Sequence, residues 1–178
     1  LRKCPCPVWV DRPGEKSAYR NILAAVDPFD DESGNLQRLI LDLATSLAGR
    51  ENASLEVIHT WELAGESMLT HGRGRISRIE LELLRNATES RHKQALNELL
   101  KPYNLDTGRD NIYLVNGKAA ESICRLTQHK DVDLIVMGTL GRAGISGLFI
   151  GNTAENVLRE THTAVLTAKP DGFITPVH

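Results

Sequence analysis

The sequence predicts an α/β protein built on an open, Rossmann-like sheet of five parallel strands with helices on both faces. Three features of the chain carry that prediction. Short apolar runs alternate with segments of helical periodicity; the runs lack polar alternation, as strands buried on both faces do; and a glycine-rich stretch joins the fourth run to the helix after it. Right-handed crossovers between parallel strands place helices on each face. Ligands of such sheets bind beyond the carboxyl ends of the strands, where the strand order reverses, so the residues leaving each strand are the ones to weigh.

Residues 21–26 form the first strand of this series, closed by Asp27-Pro28 and the acids that follow. From Ser33, a helix N-cap type, Leu36, Leu39, Ile40, Leu43 and Leu47 recur at helical spacing as far as Gly49, a natural stop. Residues 54–60 are the second strand. A glycine-containing connection, His71-Gly72-Arg73-Gly74, follows, and 72–75 reads equally as a lid or a plain link. A long helix comes next, with an apolar stripe of Ile76, Ile79, Leu83, Leu84, Ala87, His92, Ala95, Leu96, Leu99 and Leu100. Pro102 ends it, because proline lacks the amide a continuing helix requires. Residues 111–115 are the third strand, 119–129 a helix, and 133–137 the fourth strand. A loop runs from Gly138 to Gly151, 153–160 is a helix, and 163–167 the last strand.

The 178 residues suit one domain, and 41% hydrophobic with 25% charged residues is enough to bury a core. Lysine plus arginine total 21 against 23 acids, a net charge of −2, which supplies no basic field for nucleic acid. No apolar stretch approaches the roughly 20 residues of a membrane helix, and no signal-like start is present. The expectation is a cytoplasmic protein without a nucleic-acid or membrane partner. Cys4, Cys6 and Cys124 form no disulfide framework and are expected reduced. Cys4-Pro5-Cys6 lacks the spacing and second ligand pair of a zinc site, and the histidines form no HExxH, so no metal centre is expected.

The opening segment resembles a later one. Aligned without gaps, Leu1-Arg2 falls on Leu158-Arg159, Val8 on Val165, Arg12 on Lys169 and Pro13 on Pro170. With no initiator methionine, this looks like the cut edge of a tandem protein: 1–10 as the terminal strand of a preceding repeat, 11–20 as linker, 21–170 as the domain and 171–178 as a tail. Chance similarity between two helix-end-plus-strand patterns is the competing explanation.

The loop from Gly138 to Glu155 suits phosphate. Glycines let the backbone approach an anion, the first amides of the following helix point toward it, and Asn152 and Thr153 add side-chain donors. Arg142 is either a flexible cation for that anion or a solvated loop residue. The loop matches neither GxxxxGK[ST] nor GxGxxG, so a small-residue connection without a ligand is the competing reading. Asp27 ends the first strand beside the expected reversal. It can accept hydrogen bonds from ribose hydroxyls or hold a phosphate-bound Mg²⁺ through water; alternatively it caps the turn at Pro28. Asp30, Asp31 and Glu32 read as an exposed acidic start to the next helix.

Gly138, Gly141 and Gly151 keep the spacing glycine, two residues, glycine, nine residues, glycine, and over 21–168 the chain resembles the universal stress protein family. It is most similar to the tandem bacterial members that carry two such domains. The resemblance implies an adenine nucleotide α-hydrolase-like fold that binds ATP, accompanied by Mg²⁺, hydrolyses it at most slowly, and acts as a sensor or regulatory module in stress response. It places Asp27 at the nucleoside end, Val57 or Ile58 near the base, and Met137, Gly138, Gly141, Gly151, Asn152 and Thr153 around ribose and phosphates. It also implies association through the last strand, either as a homodimer or as Val8 to Val10 against Val165 to Thr167. The departure is Asn152, where the ATP-binding pattern has Ser or Thr; this favours the alternative of a nucleotide-free interaction module or a crevice for another small ligand. An ATP-pyrophosphatase-type enzyme fits poorly, because no Ser-Gly-Gly loop follows the first strand.

Overall fold

The computed structural model describes residues 4, 6–11, 18–30, 35–71, 76–139 and 151–170. In chain order the elements are β1 (Val8–Val10), β2 (Asn21–Ala25), α1 (Leu36–Glu51), β3 (Ser54–Trp61), α2 (Glu66–His71), α3 (Arg78–Leu100), a 3₁₀ turn (Lys101–Tyr103), β4 (Ile112–Asn116), α4 (Ala119–His129), β5 (Leu134–Gly138), α5 (Asn152–Glu160) and β6 (Ala164–Ala168). One sheet contains all six strands in the order β1-β6-β5-β2-β3-β4, with β2 to β6 parallel and β1 antiparallel on the edge. The order reverses between β2 and β5, which pair directly. The chain steps outward to β3 and β4 on one side and to β6 on the other, leaving a crevice at the carboxyl ends.

The unbroken apolar runs are explained by burial on both faces. Ile22, Leu23 and Ala24 of β2 and Leu134, Ile135 and Val136 of β5 have no exposed surface. Strand alternation divides them: Ile22, Ala24, Val57, Leu134 and Val136 pack toward α1 and the end of α3, while Leu23, Ile58, Ile135, Met137 and Val165 pack toward α4 and α5. Asp133 ties the opposite ends of these two strands together, its carboxylate accepting from the amides of Arg20 at 2.7 Å and Asn21 at 3.0 Å.

The five parallel strands expected are joined by β1 as a sixth, in the pairing anticipated for Val8 to Val10. Val8 lies opposite Thr167, Trp9 opposite Leu166 and Val10 opposite Val165. In the self-alignment Val10 is the counterpart of Thr167 and Val8 of Val165, so the ladder is centred on Trp9 and Leu166. A two-fold axis between equivalent strands gives that register. On the outer edge, Trp9 rests against Tyr19 with ring centroids 5.4 Å apart.

The helices depart from the sequence expectation in three places. Helix α1 runs past Gly49 to Glu51 and stops at Asn52, whose φ of 53° is the left-handed stop that Gly49 was expected to supply; Ser33 lies outside the described residues. Helix α2 occupies part of what read as a connection, being too short for periodicity to register. Helix α3 starts with a capping box between Ser77 and Glu80, yet Ile79, Leu83, Leu84 and Ala87 of its expected apolar stripe are exposed. Ile79 is 71% exposed and Leu83 64%, while Leu96 and Leu100 are buried. The second half of the helix leans on the sheet, through His92 against His59 and Trp61 of β3 and through Leu96, Leu99 and Leu100 in the core. The 72–75 segment is outside the described residues.

Candidate ligand-binding site

A cavity of about 140 Å³ opens at the carboxyl ends of β2, β3 and β5, between α1 on one side and α4 with the start of α5 on the other. This is the strand-order reversal, where neither helical layer covers the sheet end. Asp27 comes from the turn after β2, Ile58 from β3, Met137 and Gly138 from the end of β5, and Gly151, Asn152 and Thr153 from the start of α5; all line the cavity. Gly141 and Arg142 lie outside the described residues. Val57 does not join them: it is fully buried among the residues facing α1 and α3. Two adjacent apolar residues on a strand necessarily face opposite sides, and the one turned to the cavity is Ile58.

Asp27 caps the turn at Pro28 and also lines the cavity. Its Oδ1 accepts from the Phe29 amide at 3.2 Å and its carbonyl from the Asp30 amide at 3.0 Å, so it shapes the turn while also bordering the cavity. Gln37, from the first turns of α1, fixes this turn from the side. Its Oε1 accepts from the Asp27 amide at 2.8 Å, and its Nε2 donates to Asp30 Oδ2 at 3.2 Å. Asp30 is thus not part of an exposed acidic start: it is 6% exposed and lines the cavity.

The opposite wall is built on Thr139, which is fully buried. Its amide donates to the Ala168 carbonyl at 3.1 Å, and its own carbonyl accepts from the Gly151 amide at 2.5 Å. This bridge ties the end of β5 to β6 and brings the N-terminus of α5 to the cavity rim. Gly151 occupies the N-cap position without a side-chain cap, so the amide end of α5 faces the cavity with its partial positive charge.

His59 escaped the sequence reading because a histidine within a strand reads as core. It is 1% exposed and lines the cavity. Its Nδ1 lies 3.1 Å from the Val26 carbonyl, which can only accept, so Nδ1 carries a proton. Its Nε2 lies 2.7 Å from Nδ1 of His92 on α3, and the two rings meet edge to edge with 22° between their planes. Phe29 packs on His92, with the Arg91 guanidinium 4.9 Å from the Phe29 ring centroid. Among the described lining residues the charged side chains are the carboxylates Asp27 and Asp30, with no lysine or arginine. The site therefore offers amide and hydroxyl donors at one end and carboxylate acceptors at the other. No group of three or more potential metal ligands occurs among the described residues, and no helix there is long and apolar enough to cross a membrane.

A family model described as the universal stress protein family matches residues 18–169. Universal stress protein E of Photorhabdus laumondii is 28% identical over 181 residues, covering 99% of this chain and 56% of that protein. A functionally unknown protein from Pseudomonas aeruginosa PAO1 has the same fold with a TM-score of 0.74 at 31% identity, over 96% of this chain and 54% of the other. The universal stress protein UspA from Lactobacillus plantarum shares the fold with a TM-score of 0.65 at 19% identity, over 86% of this chain and all of that one. The chain spans about half the length of the curated relatives it matches.

Proposed function

The chain belongs to the universal stress protein family, and from that premise we propose that its cavity binds an adenine nucleotide, ATP with Mg²⁺, and that the protein serves as a sensor or regulatory module. The observation that carries the reading is the convergence of Asp27, Gly138, Gly151, Asn152 and Thr153 on one cavity at the strand-order reversal. The polarity has a direction. The carboxylates of Asp27 and Asp30 suit hydroxyl donors of a ribose, and the amide end of α5 suits phosphate. With acids on the described lining, the phosphate charge needs a cation brought by the ligand, and the Mg²⁺ that accompanies ATP supplies it.

Calorimetric titration with ATP in the presence of Mg²⁺ tests this. Saturable binding is expected, weakened about tenfold in Asp27→Asn, which keeps size and loses charge at a hydrogen-bonded contact. Absence of heat at millimolar ATP from a folded wild-type protein rejects the reading. One observation favours a second: Asn152, where the family pattern has a hydroxyl residue, lines the cavity. Under that reading the crevice holds a different small ligand or none, and Asn152→Ser gains ATP binding that the wild type lacks.

We further propose that 1–10 is the last strand of a preceding repeat, completing a pseudo-dimer seam with β6. The two-fold register and the half-length match to relatives support it. Deleting 1–10 bares the edge of β6, and exposed edges recruit partners. The shortened chain is expected to dimerise in light scattering at concentrations where the intact chain does not; an unchanged monomer counts against the seam.

A further inference from the structure

Cys4 and Cys6 lie before β1 at the edge of the sheet, beside the carboxyl end of β6. Their Sγ atoms are 2.8 Å apart, within thiol hydrogen-bonding distance. Cys4 is half-buried and Cys6 exposed, so the pair is supported from one side and open to reagents from the other. Lys169, which follows β6 and is 4% exposed, donates its ammonium to the Cys4 carbonyl. A buried cation thus adjoins one member of a solvent-reached thiol pair. Cys124, by contrast, is partly buried on α4 with no second cysteine beside it among the described residues.

From this juxtaposition we propose that Cys4 and Cys6 form a redox-active dithiol that closes reversibly to a disulfide by exchange with low-molecular-weight disulfides. The exchange needs no group beyond the two thiols and the reagent. The Cys4 thiolate attacks one sulfur of the disulfide RSSR, forming a mixed disulfide and releasing one thiolate. Cys6 then loses its proton to solvent and attacks Cys4 Sγ, releasing the second thiolate. Two protein thiols and one RSSR become one protein disulfide and two RSH. The order of attack follows from the environment. The hydrogen bond from the Cys6 thiol, then one from the Cys6 backbone, and to a smaller extent the Lys169 ammonium hold the Cys4 pKa below the usual thiol value, whereas the shared thiol bond raises Cys6 and burial raises Cys124.

The probe is oxidised glutathione, with intact mass and thiol-alkylation mapping as the readout. Wild-type chain is expected to lose two hydrogens across the segment containing Cys4 and Cys6, without retained glutathione, and to regain them with reduced glutathione. Cys6→Ser is expected to stop at glutathione bound to Cys4, and Cys4→Ser to react more slowly than Cys6→Ser. With iodoacetamide, the Cys4 alkylation rate of the Cys6→Ser chain is compared with that of Cys124 in the same molecule. Cys4 is expected to reach half its maximal rate at lower pH than Cys124, because Lys169 still faces it. Stable glutathione adducts on both thiols of the wild type, or Cys124 reacting ahead of Cys4, overturns the proposal.

Discussion

Replacing Gly138 by valine is expected to lower the melting temperature by about 4–8 °C, equivalent to ~2 kcal/mol in a domain of this size, before any ligand is added. Gly138 ends β5 beneath α1. A Cβ placed there meets Leu36 Cδ2 at 3.0 Å, Leu36 Cγ at 3.6 Å and Ile40 Cδ1 at 3.7 Å. Leu36 has no exposed surface and Ile40 has 1%, so neither side chain has room to withdraw. A single methyl displaces the end of Leu36 by a few tenths of an ångström, and Gly138→Ala is expected to cost roughly half as much. The two extra methyls of valine force α1 outward, carrying Gln37 and with it the Asp27 turn. Scanning calorimetry of the three proteins gives the order wild type, alanine, valine; a valine chain melting with the wild type would mean that α1 yields freely at this contact. It follows that loss of nucleotide binding in Gly138→Val reports helix displacement as much as ligand contact. Asp27→Asn, which adds no volume, is the cleaner probe of the site.

That glycine also shows what a sequence discloses and what it withholds. Its position at the end of the fourth parallel strand was legible, and so was the reversal beside it, because both follow from the order of apolar runs and glycines. Its role was not: the glycine spacing suggests a backbone shaped for an anion, whereas the structure gives Gly138 a steric duty toward α1. The pairing of Val8 to Val10 with Val165 to Thr167 was legible through the family resemblance, whereas its antiparallel register comes from the structure. Val57 and Ile58 could not be separated, since both are apolar and only the sheet's two covers decide which faces the cavity. Asp30 misread as solvated because three consecutive acids normally are; its burial depends on Gln37, a helical residue whose polarity places it outside the apolar stripe. The glutamine at that position, between Leu36 and Ile40 on a face that otherwise packs inward, is the one signal in the sequence that a polar group is wanted there. His59 carried no such mark, and its pairing with His92 joins residues 33 apart in sequence.

Gln37→Leu is expected to produce the second large effect, because one side chain serves both acids of the cavity. Leucine fills nearly the same volume, so the contact of α1 with the sheet survives, but the acceptor to the Asp27 amide and the donor to Asp30 both disappear. Removing buried hydrogen-bond partners costs about 1–3 kcal/mol per group left behind, and ~2 kcal/mol here again corresponds to about 4–8 °C in melting temperature. On the proposed reading of the site, affinity for Mg²⁺ with ATP falls about tenfold as the Asp27 turn loses its anchor. Gln37→Glu separates the two bonds. A carboxylate still accepts from the Asp27 amide, yet it replaces the donor to Asp30 with a second negative oxygen where the amide stood 3.2 Å away. Like charges at that separation favour retention of a proton in the folded state, so the folded pair titrates above its unfolded range. Stability is then present at low pH and lost as pH rises through the folded pair's titration. The glutamate chain should melt close to the wild type in acid and fall progressively behind toward neutrality, while the leucine chain carries a deficit at both ends. Parallel curves for the two variants would mean that Asp30 does not feel residue 37 and that the turn after β2 is held by other contacts.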